Sequence, residues 1–430
     1  MNDDIVTTDD RKRARWWEQG DDKEAAKVAW GEATILRDKD AGRRRRDYLF
    51  MRMYENCDPK STWGTSGDFV RLLPDGRLAL NVIQRVIDMA VARVVVNRPA
   101  PVYQTVGGNA SLRRKARLLE RFVDGEFYRM DLRPEATMAL TDAACFGRGA
   151  LKVYKTPGPG GVGQAVTERT FPGEILVDPL DGLYRKPRTM YQVKFYPRDI
   201  DPCSLGAAPE DRKRILDLMA NASSSTQWED FGRDPTVDQV EVLESWRLPD
   251  PIWDGSDDDK EYEGDHVLAL SNGVVYREPW KHRYFPITMV DWMPSLRGFW
   301  SKGLVERLVG IQIEINRLLV RIQQAMHLMA VPRIFCEQGS RIAVQQINNQ
   351  IGAILNYVGQ PPQFHTASSM HPEVFAHLVF LIKQAMEIAG TGDLNEPMAP
   401  GVRSGSGQRQ VHYQKNLGLA RPISHWDQLH

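Results

Sequence analysis

The residues best able to do chemistry in this chain are scattered rather than grouped. Its four cysteines are widely separated and form no CxxC pair: Cys57, Cys145, Cys203 and Cys336. This pattern indicates neither a zinc site nor a disulfide framework, and it is typical of a reducing compartment. The nine histidines are not at metal-ligand spacing, and His282, His365 and His371 are interpreted as surface or interface residues.

The glycine-rich and acidic stretches match no catalytic or ion-binding motif. The sequence TPGPGGVGQ at 156–164 lacks the Lys-Ser/Thr of a phosphate loop and predicts a hairpin loop. The acidic run at 254–265 lacks the pattern of an EF-hand and predicts a solvated turn. There is also no Walker, HExxH, GxSxG or Rossmann motif. The residues therefore predict no catalytic site, no cofactor and no metal, although an active site can assemble from distant residues.

The charges are balanced, with 56 Lys and Arg against 56 Asp and Glu. A protein that grips nucleic acid through phosphates is usually basic overall, so any DNA contact should be local or loose. One basic run, Arg43, Arg44, Arg45 and Arg46, has two interpretations. It is either a solvated helix face, which we favour, or a contact with acidic protein or nucleic acid.

The elements that would position any site are dominated by two long helices. Residues 303–330 carry apolar side chains at spacings of 4, 3, 4, 3, the 3.5-residue period of a seam between helices. The seam residues are Leu304, Leu308, Ile311, Ile315, Leu318, Ile322, Ala325 and Met329. A second helix, 372–389, repeats the spacing with Val374, Leu378, Leu381, Ala385 and Ile388. At 1.5 Å per residue the first helix is about 42 Å long.

The rest of the 430-residue chain predicts an α+β protein of two or three domains. Helices are predicted at 80–97, 111–130 and 132–147, and strands at 150–155, 164–171, 174–179, 190–197, 237–249, 266–279 and 285–294. Residues 331–370 form a small α/β module, too short to bury much surface unaided. No apolar stretch is long enough to span a membrane.

The order of these pieces resembles the portal proteins of tailed bacteriophages. The helix LNVIQRVIDMAVARVVVNRPAPVYQ carries Asn81, the pair Ile87-Asp88 and a proline-containing exit. It is followed by FYRMDLRPEATMALTDAACFGRGALKVY, a helix with a glycine-rich step into a strand, and by FPGEILVDP. RYFPITMVDWMP then leads into the long helix, which carries Gln312 and Asn316, and VPRIF follows that helix. GVRSGSGQRQ, after the second long helix, resembles the Ser-Gly step of the family.

The resemblance implies a ring of commonly about twelve subunits around a DNA channel. Residues 1–299 would form the wing, 300–330 and 371–390 the stem, 331–370 the clip, and 391–404 the tunnel loop. Residues 405–430 would return toward the wing or crown, so a sizeable crown is absent or the chain continues past 430. The loop residues expected in the channel are Asp393, Leu394, Asn395, Glu396, Pro397, Met398 and Arg403. Arg43 to Arg46 are expected to face away from the channel, because a basic ring would slow DNA.

The function implied by the resemblance is structural rather than enzymatic. A portal ring sits at one capsid vertex of the virion, after assembly in the host cytoplasm, and passes double-stranded DNA during packaging and ejection. Its implied partners are the terminase large subunit, the major capsid and scaffolding proteins, and a head–tail adaptor; no membrane is implied. Two alternatives stay open. One is a nucleic-acid-acting enzyme with an α+β core and a helical hairpin arm, and the other is a filament-forming scaffold protein.

Overall fold

The fold was analysed in a computed structural model of the chain. The structure describes residues 15–55, 80–96, 99–105, 107, 109–157, 163–205, 209–222, 238–251, 261–330, 333–335, 363–365, 371–391 and 417–429. The chain divides into two compact units. The first comprises Met1–Gly64, Ile83–Val309 and Met386–His430, and the second comprises Thr65–Val82 and Gly310–Ala385.

The described helices follow the predicted periodicity closely. They are α1 (Asp22–Lys39), α2 (Ala41–Glu55), α3 (Val82–Val95), α4 (Ala110–Arg129), α5 (Leu132–Phe146), α6 (Arg212–Asn221), α7 (Leu304–Ala330), α8 (Pro372–Ile388) and α9 (Ala420–Leu429). Short 3-10 turns lie at Trp16–Glu18, Pro172–Glu174, Pro202–Leu205, Pro209–Asp211 and Leu417–Leu419. The apolar residues of the sequence 80–97 predict a broad buried face for α3. This face is confirmed, because all seven of its residues are buried: Val82, Ile83, Val86, Ile87, Ala90, Val91 and Val94.

The described strands form antiparallel sheets. They are β1 (Arg148–Pro157), β2 (Gly163–Thr170), β3 (Ile175–Leu176), β4 (Thr189–Pro197), β5 (Gln239–Arg247), β6 (Asp250–Pro251), β7 (Glu261–Tyr262), β8 (Gly264–Leu270), β9 (Gly273–Trp280), β10 (Ile287–Asp291), β11 (Arg333–Phe335) and β12 (Gln363–His365). One sheet has the order β10-β1-β2, and a larger one has the order β3-β4-β5-β8-β9. The α+β class predicted from the sequence is therefore confirmed.

The five-stranded sheet is covered on both faces. Its alternate residues Tyr191, Val193 and Leu243 pack with Trp16 and the alanines of α1 on one side. On the opposite side, Val240 and Val242 pack with Ile215 and Met219 of α6 in one cluster. Met190 and Trp246, on that same side, join residues of β1 and β10 in another cluster. Period-two alternation with both faces buried explains why these strands carry so few exposed residues.

The junction between α5 and β1 is tightly packed. Gly147 ends α5 with φ +102°, a left-handed conformation that favours glycine. A Cβ atom on Gly147 would lie 2.1 Å from the carbonyl oxygen of Ser301, and one on Gly303 would lie 2.3 Å from that of Cys145. The glycine-rich step noted in the sequence therefore lets the segment before α7 pack against the end of α5.

The second unit contains most of α7 and α8 and the pair β11–β12. Its strands are joined with Arg333 opposite His365 and Phe335 opposite Gln363. Helices α7 and α8 begin and end within one residue of the predicted bounds. Within the predicted α/β module at 331–370, the structure describes only these two strands. The rest of that prediction falls outside the described residues.

Candidate functional site

The predicted seam of α7 forms its inner stripe. Five of the seam residues are buried and belong to one face of the helix: Leu304, Leu308, Ile315, Leu318 and Ile322. Ile311, between them, is half-buried. A 3.5-residue period keeps such side chains on one side over six turns. These five side chains are buried in the single chain. The predicted role of the seam as a contact between the long helices of a stem stays a prediction.

A second apolar face runs along α7 opposite the inner stripe. Val309, Ile313 and Val320 lie on this face and are half-buried, and the polar residue Asn316 interrupts the row between Ile313 and Val320. We call them the outer stripe of α7. At 100° per residue they lie roughly opposite Leu304 and Ile315. A helix that is apolar on two opposite faces is typical of one that packs between neighbours.

The side-chain amide of Gln312, on α7, bonds to the backbone at the start of α3. Its Oε1 accepts from the backbone N–H of Val82 at 2.9 Å, and its Nε2 donates to the carbonyl oxygen of Leu80 at 2.7 Å. Nε2 also lies 3.1 Å from Oδ1 of Asn316, so the two polar residues noted in the sequence are joined. Gln312 is buried, and these bonds satisfy its amide group.

The predicted seam of α8 is less buried than that of α7. Val374, Leu378, Leu381 and Ile388 are half-buried, and Ala385 is fully buried. These five residues form the inner stripe of α8. Since the helix is apolar along most of its length, this limited burial leaves much of its surface without a partner in the described chain.

An outer stripe of α8 lies beside the inner one, at the same spacing. It consists of Phe375, Val379, Ile382 and Met386. Phe375 and Val379 are 47% and 55% exposed, and Phe380 is 53% exposed. Isolated exposed apolar residues are common on protein surfaces, but an aligned row on a helix marks an interaction surface. The sequence analysis missed this second row because it followed only one heptad register.

The C-terminal end of α8 is anchored. Gly390 follows the last apolar residue of the α8 repeat, where the sequence predicts a glycine cap, and it adopts φ +70° as such a cap requires. The hydroxyl of Thr391 donates to the carbonyl oxygen of Met386 at 2.9 Å, and Thr391 is buried. A Cβ atom on Gly390 would lie 3.0 Å from the backbone of Gly418, so the two glycines allow a close crossing. The segment after α8 therefore starts from a fixed point.

The predicted tunnel loop begins at that point. Its expected channel residues lie outside the described residues: Asp393, Leu394, Asn395, Glu396, Pro397, Met398 and Arg403. Their predicted role stays a prediction.

The arginine run of α2 has a different role from the one the sequence suggested. Arg43 is not on a solvated face; it pairs with Asp40 and Asp47, and its guanidinium carbon lies 3.5 Å from the ring centre of Trp300. Burial raises the pKa of Asp47 to about 6, although Arg43 acts in the opposite direction. Arg44 is half-buried, and only Arg45 and Arg46 are exposed. Half of the run is therefore structural.

A row of buried charges was missed by the sequence analysis. Lys152 of β1 pairs with Glu244 of β5, and its Nζ lies 3.2 Å from Oε1 of Gln192. His266 of β8 bridges Glu244 and Glu278, with Nε2 3.0 Å from the first carboxylate and Nδ1 2.9 Å from the second. Its ring stacks on Trp246 with an interplanar angle of 6°. The sequence pattern that could have predicted this row is the presence of Lys, Glu and His at inward positions of strands that are otherwise apolar.

The partners of each buried group set its charge. Burial would raise the pKa of Glu244, but Lys152 and His266 lower it to about 2. Burial would lower the pKa of His266, yet its hydrogen bonds to Glu244 and Glu278 raise it above 6.5. Burial raises the pKa of nearby Glu174 to about 7. Each buried charge in the row thus lies beside a group of opposite charge. This is expected of a structural network in a protein interior, where an unpaired charge is costly.

A cleft of about 650 Å³ lies between α3 and α5. Its lining in the described chain is mostly apolar, with Val91, Val95 and the ring of Trp426. Asp88 and Arg133 are its charged residues, and Asp88 accepts a hydrogen bond from the hydroxyl of Tyr54 at 2.7 Å. One carboxylate and one guanidinium are too few polar groups to indicate a particular reaction.

Within the described ranges, no three His, Cys, Asp or Glu side chains are grouped so that they could hold a metal ion. Among the helices that the structure describes, none combines the length and apolar character needed to cross a bilayer. Compared with known proteins, the chain matches no family model, and no curated protein is significantly similar to it.

Proposed function

We propose that this chain is the subunit of a ring-shaped portal, through which viral double-stranded DNA enters and leaves a capsid. The observation that carries the proposal is the pair of outer stripes on α7 and α8. The inner stripe of α7 is mostly buried and that of α8 is half-buried apart from Ala385, and each helix carries a second row with apolar residues at a similar spacing, interrupted on α7 by Asn316. Two rows per helix provide the contacts that a circle of identical subunits needs on both sides.

The energetics favour covering the outer stripes. Fully burying one Phe or Val side chain contributes about 1.5–3 kcal/mol. Phe375 and Val379, in the outer stripe of α8, remain about half exposed in the single chain. Burial of even part of this surface, repeated around a closed ring, would stabilise the assembly substantially, although association entropy offsets some of the gain.

The polar face of α7 suits a surface that DNA slides past. It carries both signs of charge, with Glu306, Arg307, Glu314 and Arg317. Arg317 lies 3.8 Å from Glu314, so its charge is partly compensated. Each contact between a basic side chain and a DNA phosphate adds salt-sensitive affinity. A surface that carries both signs of charge therefore holds DNA less tightly than a basic surface does, and DNA passes it more easily.

The finer features of the proposal follow from the resemblance of the sequence to portal proteins. The ring is proposed to contain about twelve subunits, with α7 and α8 as the stem, 331–370 as the clip and 391–404 as the tunnel loop. The clip would dock the terminase large subunit and later the head–tail adaptor, while the wing would contact the major capsid and scaffolding proteins. The proposed location is the capsid vertex of the virion.

The assembly can be tested on the purified full-length chain at micromolar concentration. Native mass spectrometry and negative-stain imaging are expected to show closed rings. The double variant Phe375→Asp/Val379→Asp is expected to remain folded by circular dichroism but to stay monomeric, because a carboxylate would be buried in each contact. Leu180→Asp/Leu296→Asp is the matched control, since both leucines are highly exposed outside both helices and the change in net charge is the same; it should still form rings.

Three outcomes would reject this assembly. They are a wild-type chain that remains monomeric, rings that survive the double substitution, and open filaments in place of rings. The conduit role has a separate test: deletion of 394–399 should leave ring assembly intact but impair packaging or retention of DNA. A deletion variant that packages and holds a full genome normally would show that the loop has no such role.

A further inference from the structure

Helix α4 is held on the surface of the first unit without a single fully buried residue. Its first turn is capped by Asn109, whose Oδ1 accepts from the backbone N–H of Leu112 at 3.0 Å. A 20-residue helix normally buries an apolar face in its own chain. Because α4 buries its inward side chains, such as Ala116 and Val123, only partly, the exposed apolar and basic side chains on its outer side need a separate explanation.

Polar contacts hold α4 to the rest of the chain at its middle and at its C-terminal end. Glu120 accepts from the backbone N–H of Tyr103 at 3.1 Å. Arg129, in the last turn, donates to the carbonyl oxygen of Ala165 at 2.8 Å, and the hydroxyl of Thr167 donates to that of Met130 at 2.8 Å. The helix is thus presented in a defined position rather than hanging free.

An apolar strip runs along one side of α4. It consists of Leu112, Leu118, Leu119 and Phe122. All four are exposed, and Phe122 is 64% exposed. At 100° per residue they occupy one side of the helix, next to the half-buried residues Ala116 and Val123. This strip is apolar surface that the described chain leaves uncovered.

Basic residues flank the apolar strip. Arg113, Arg114, Lys115, Arg117 and Arg121 are all exposed. None of them makes an ion pair with a residue in the described part of the chain, whereas Arg129 pairs with Glu126 at 2.6 Å. At 100° per residue, Arg114 and Arg121 lie along one edge of the strip beside Leu118 and Phe122, where their positive charges complement an acidic partner.

Gly125 indicates how closely that partner approaches. It lies one turn beyond Phe122 and Arg121 on the exposed side, and a Cβ atom there would meet nothing within 4 Å. Its φ is not left-handed, so no feature of the described chain requires glycine at this position. Glycine in a helix interior is destabilising relative to alanine. A missing side chain allows the backbone of a second helix to come close.

We propose that α4 is a docking site for an acidic amphipathic helix of another protein, whose apolar residues cover Leu118 and Phe122 and whose carboxylates pair with Arg114 and Arg121. Duplex DNA would satisfy the arginines but leave the apolar strip against phosphates. An anionic bilayer could bind both the apolar strip and the arginines, but its binding would not depend on glycine at position 125. A partner helix would contact the apolar strip, the arginines and the open space at Gly125. This inference does not depend on ring formation.

The test measures binding of a fluorescent three-heptad helical peptide, with leucine at the seam positions and glutamate beside them, to the full-length chain. Saturable binding is expected. Arg114→Glu/Arg121→Glu should weaken it by about tenfold or more. Gly125→Ala should also weaken it, while raising the thermal midpoint of the chain itself. Lys213→Glu/Arg297→Glu is the control, since both residues are exposed and the change in net charge is the same; its affinity should equal that of the wild type.

Several results would overturn the proposal. They are no saturable binding of the peptide, equal binding of a peptide with the same residues in scrambled order, and equal affinity of the α4 variants and the control. A preference for a duplex oligonucleotide or for phosphatidylserine vesicles over the peptide would replace the helix partner with those ligands. Loss of self-association in the α4 variants would show that a second copy covers this face instead.

Discussion

The Nε2 atom of His266 lies 3.0 Å from Oε1 of Glu244. On the other side of the ring, Nδ1 lies 2.9 Å from Oε1 of Glu278. Ionised carboxylates only accept hydrogen bonds, so an imidazole held between two of them must donate from both nitrogens. His266 is therefore a buried cation, and together with Lys152 it compensates the charge of Glu244.

This arrangement predicts how stability depends on pH. The folded pKa of His266 is raised above 6.5, so its contribution is complete below pH 6.5 and is lost as pH rises through the folded pKa. The pKa of Glu244 is lowered from 4.5 to about 2, so its contribution is present above pH 4.5 and lost as pH falls toward 2. The network should therefore stabilise the fold most between about pH 4.5 and pH 6.5.

The measurement is urea unfolding of the wild type and of His266→Gln from pH 5 to 9. We expect the difference in unfolding free energy between them to shrink as pH rises above 6.5. Glu174→Gln is the control: the pKa of Glu174 is raised to about 7, so its effect should change mainly between pH 4.5 and 7. A constant difference for His266→Gln across the range would show that folding does not raise the pKa of His266.

Lys152 and Glu244 should be strongly coupled. Glu244→Leu alone leaves the Lys152 amine buried without its carboxylate and should destabilise the fold by about 3–5 kcal/mol. The double variant Lys152→Met/Glu244→Leu removes both charges, and it should recover about 2 kcal/mol or more of that loss. Unfolding curves of the two single variants and the double variant measure the coupling. Simple additivity would contradict it.

Two neighbouring arginines of α2 should differ in importance. Arg43→Met removes two ion pairs and the contact with Trp300, leaving Asp47 buried without its partner, and should cost about 3 kcal/mol. Arg45→Met changes an exposed side chain and should alter the unfolding free energy by less than about 0.5 kcal/mol. Chemical denaturation of both variants checks this, and equal losses would argue against a structural role specific to Arg43.

The two glycine substitutions Gly147→Ala and Gly31→Ala should have opposite signs. At Gly147 a methyl group would meet the Ser301 carbonyl at 2.1 Å and φ is +102°, so the fold should lose about 3 kcal/mol or more. At Gly31, on the exposed side of α1, nothing lies within 4 Å, and alanine should stabilise the chain by up to about 1 kcal/mol. Thermal unfolding separates the two, and a gain in stability at Gly147 would show that the close packing there is relaxed.

Much of the secondary structure could be predicted because periodicity is local. The 3.5-residue spacing of α7 predicted both its bounds and its buried face, since every fourth or third side chain of a helix falls on the same side. The face of α3 and the glycine cap at Gly390 followed from equally local patterns. One heptad register was followed on α8, however, so the second row at Phe375 and Val379 was overlooked.

The sequence by itself therefore determined the α+β class, the order of the elements and the helix faces that point inward. Only the tertiary structure decided which distant residues meet. β1 pairs with β10 so that Arg148 lies opposite Asp291, and Lys152, Glu244 and His266 come together from three strands. Strand register and pairing depend on contacts far apart along the chain, which no local spacing encodes. For the same reason Arg43, part of a run that looked solvated, is enclosed by Trp300 and two carboxylates.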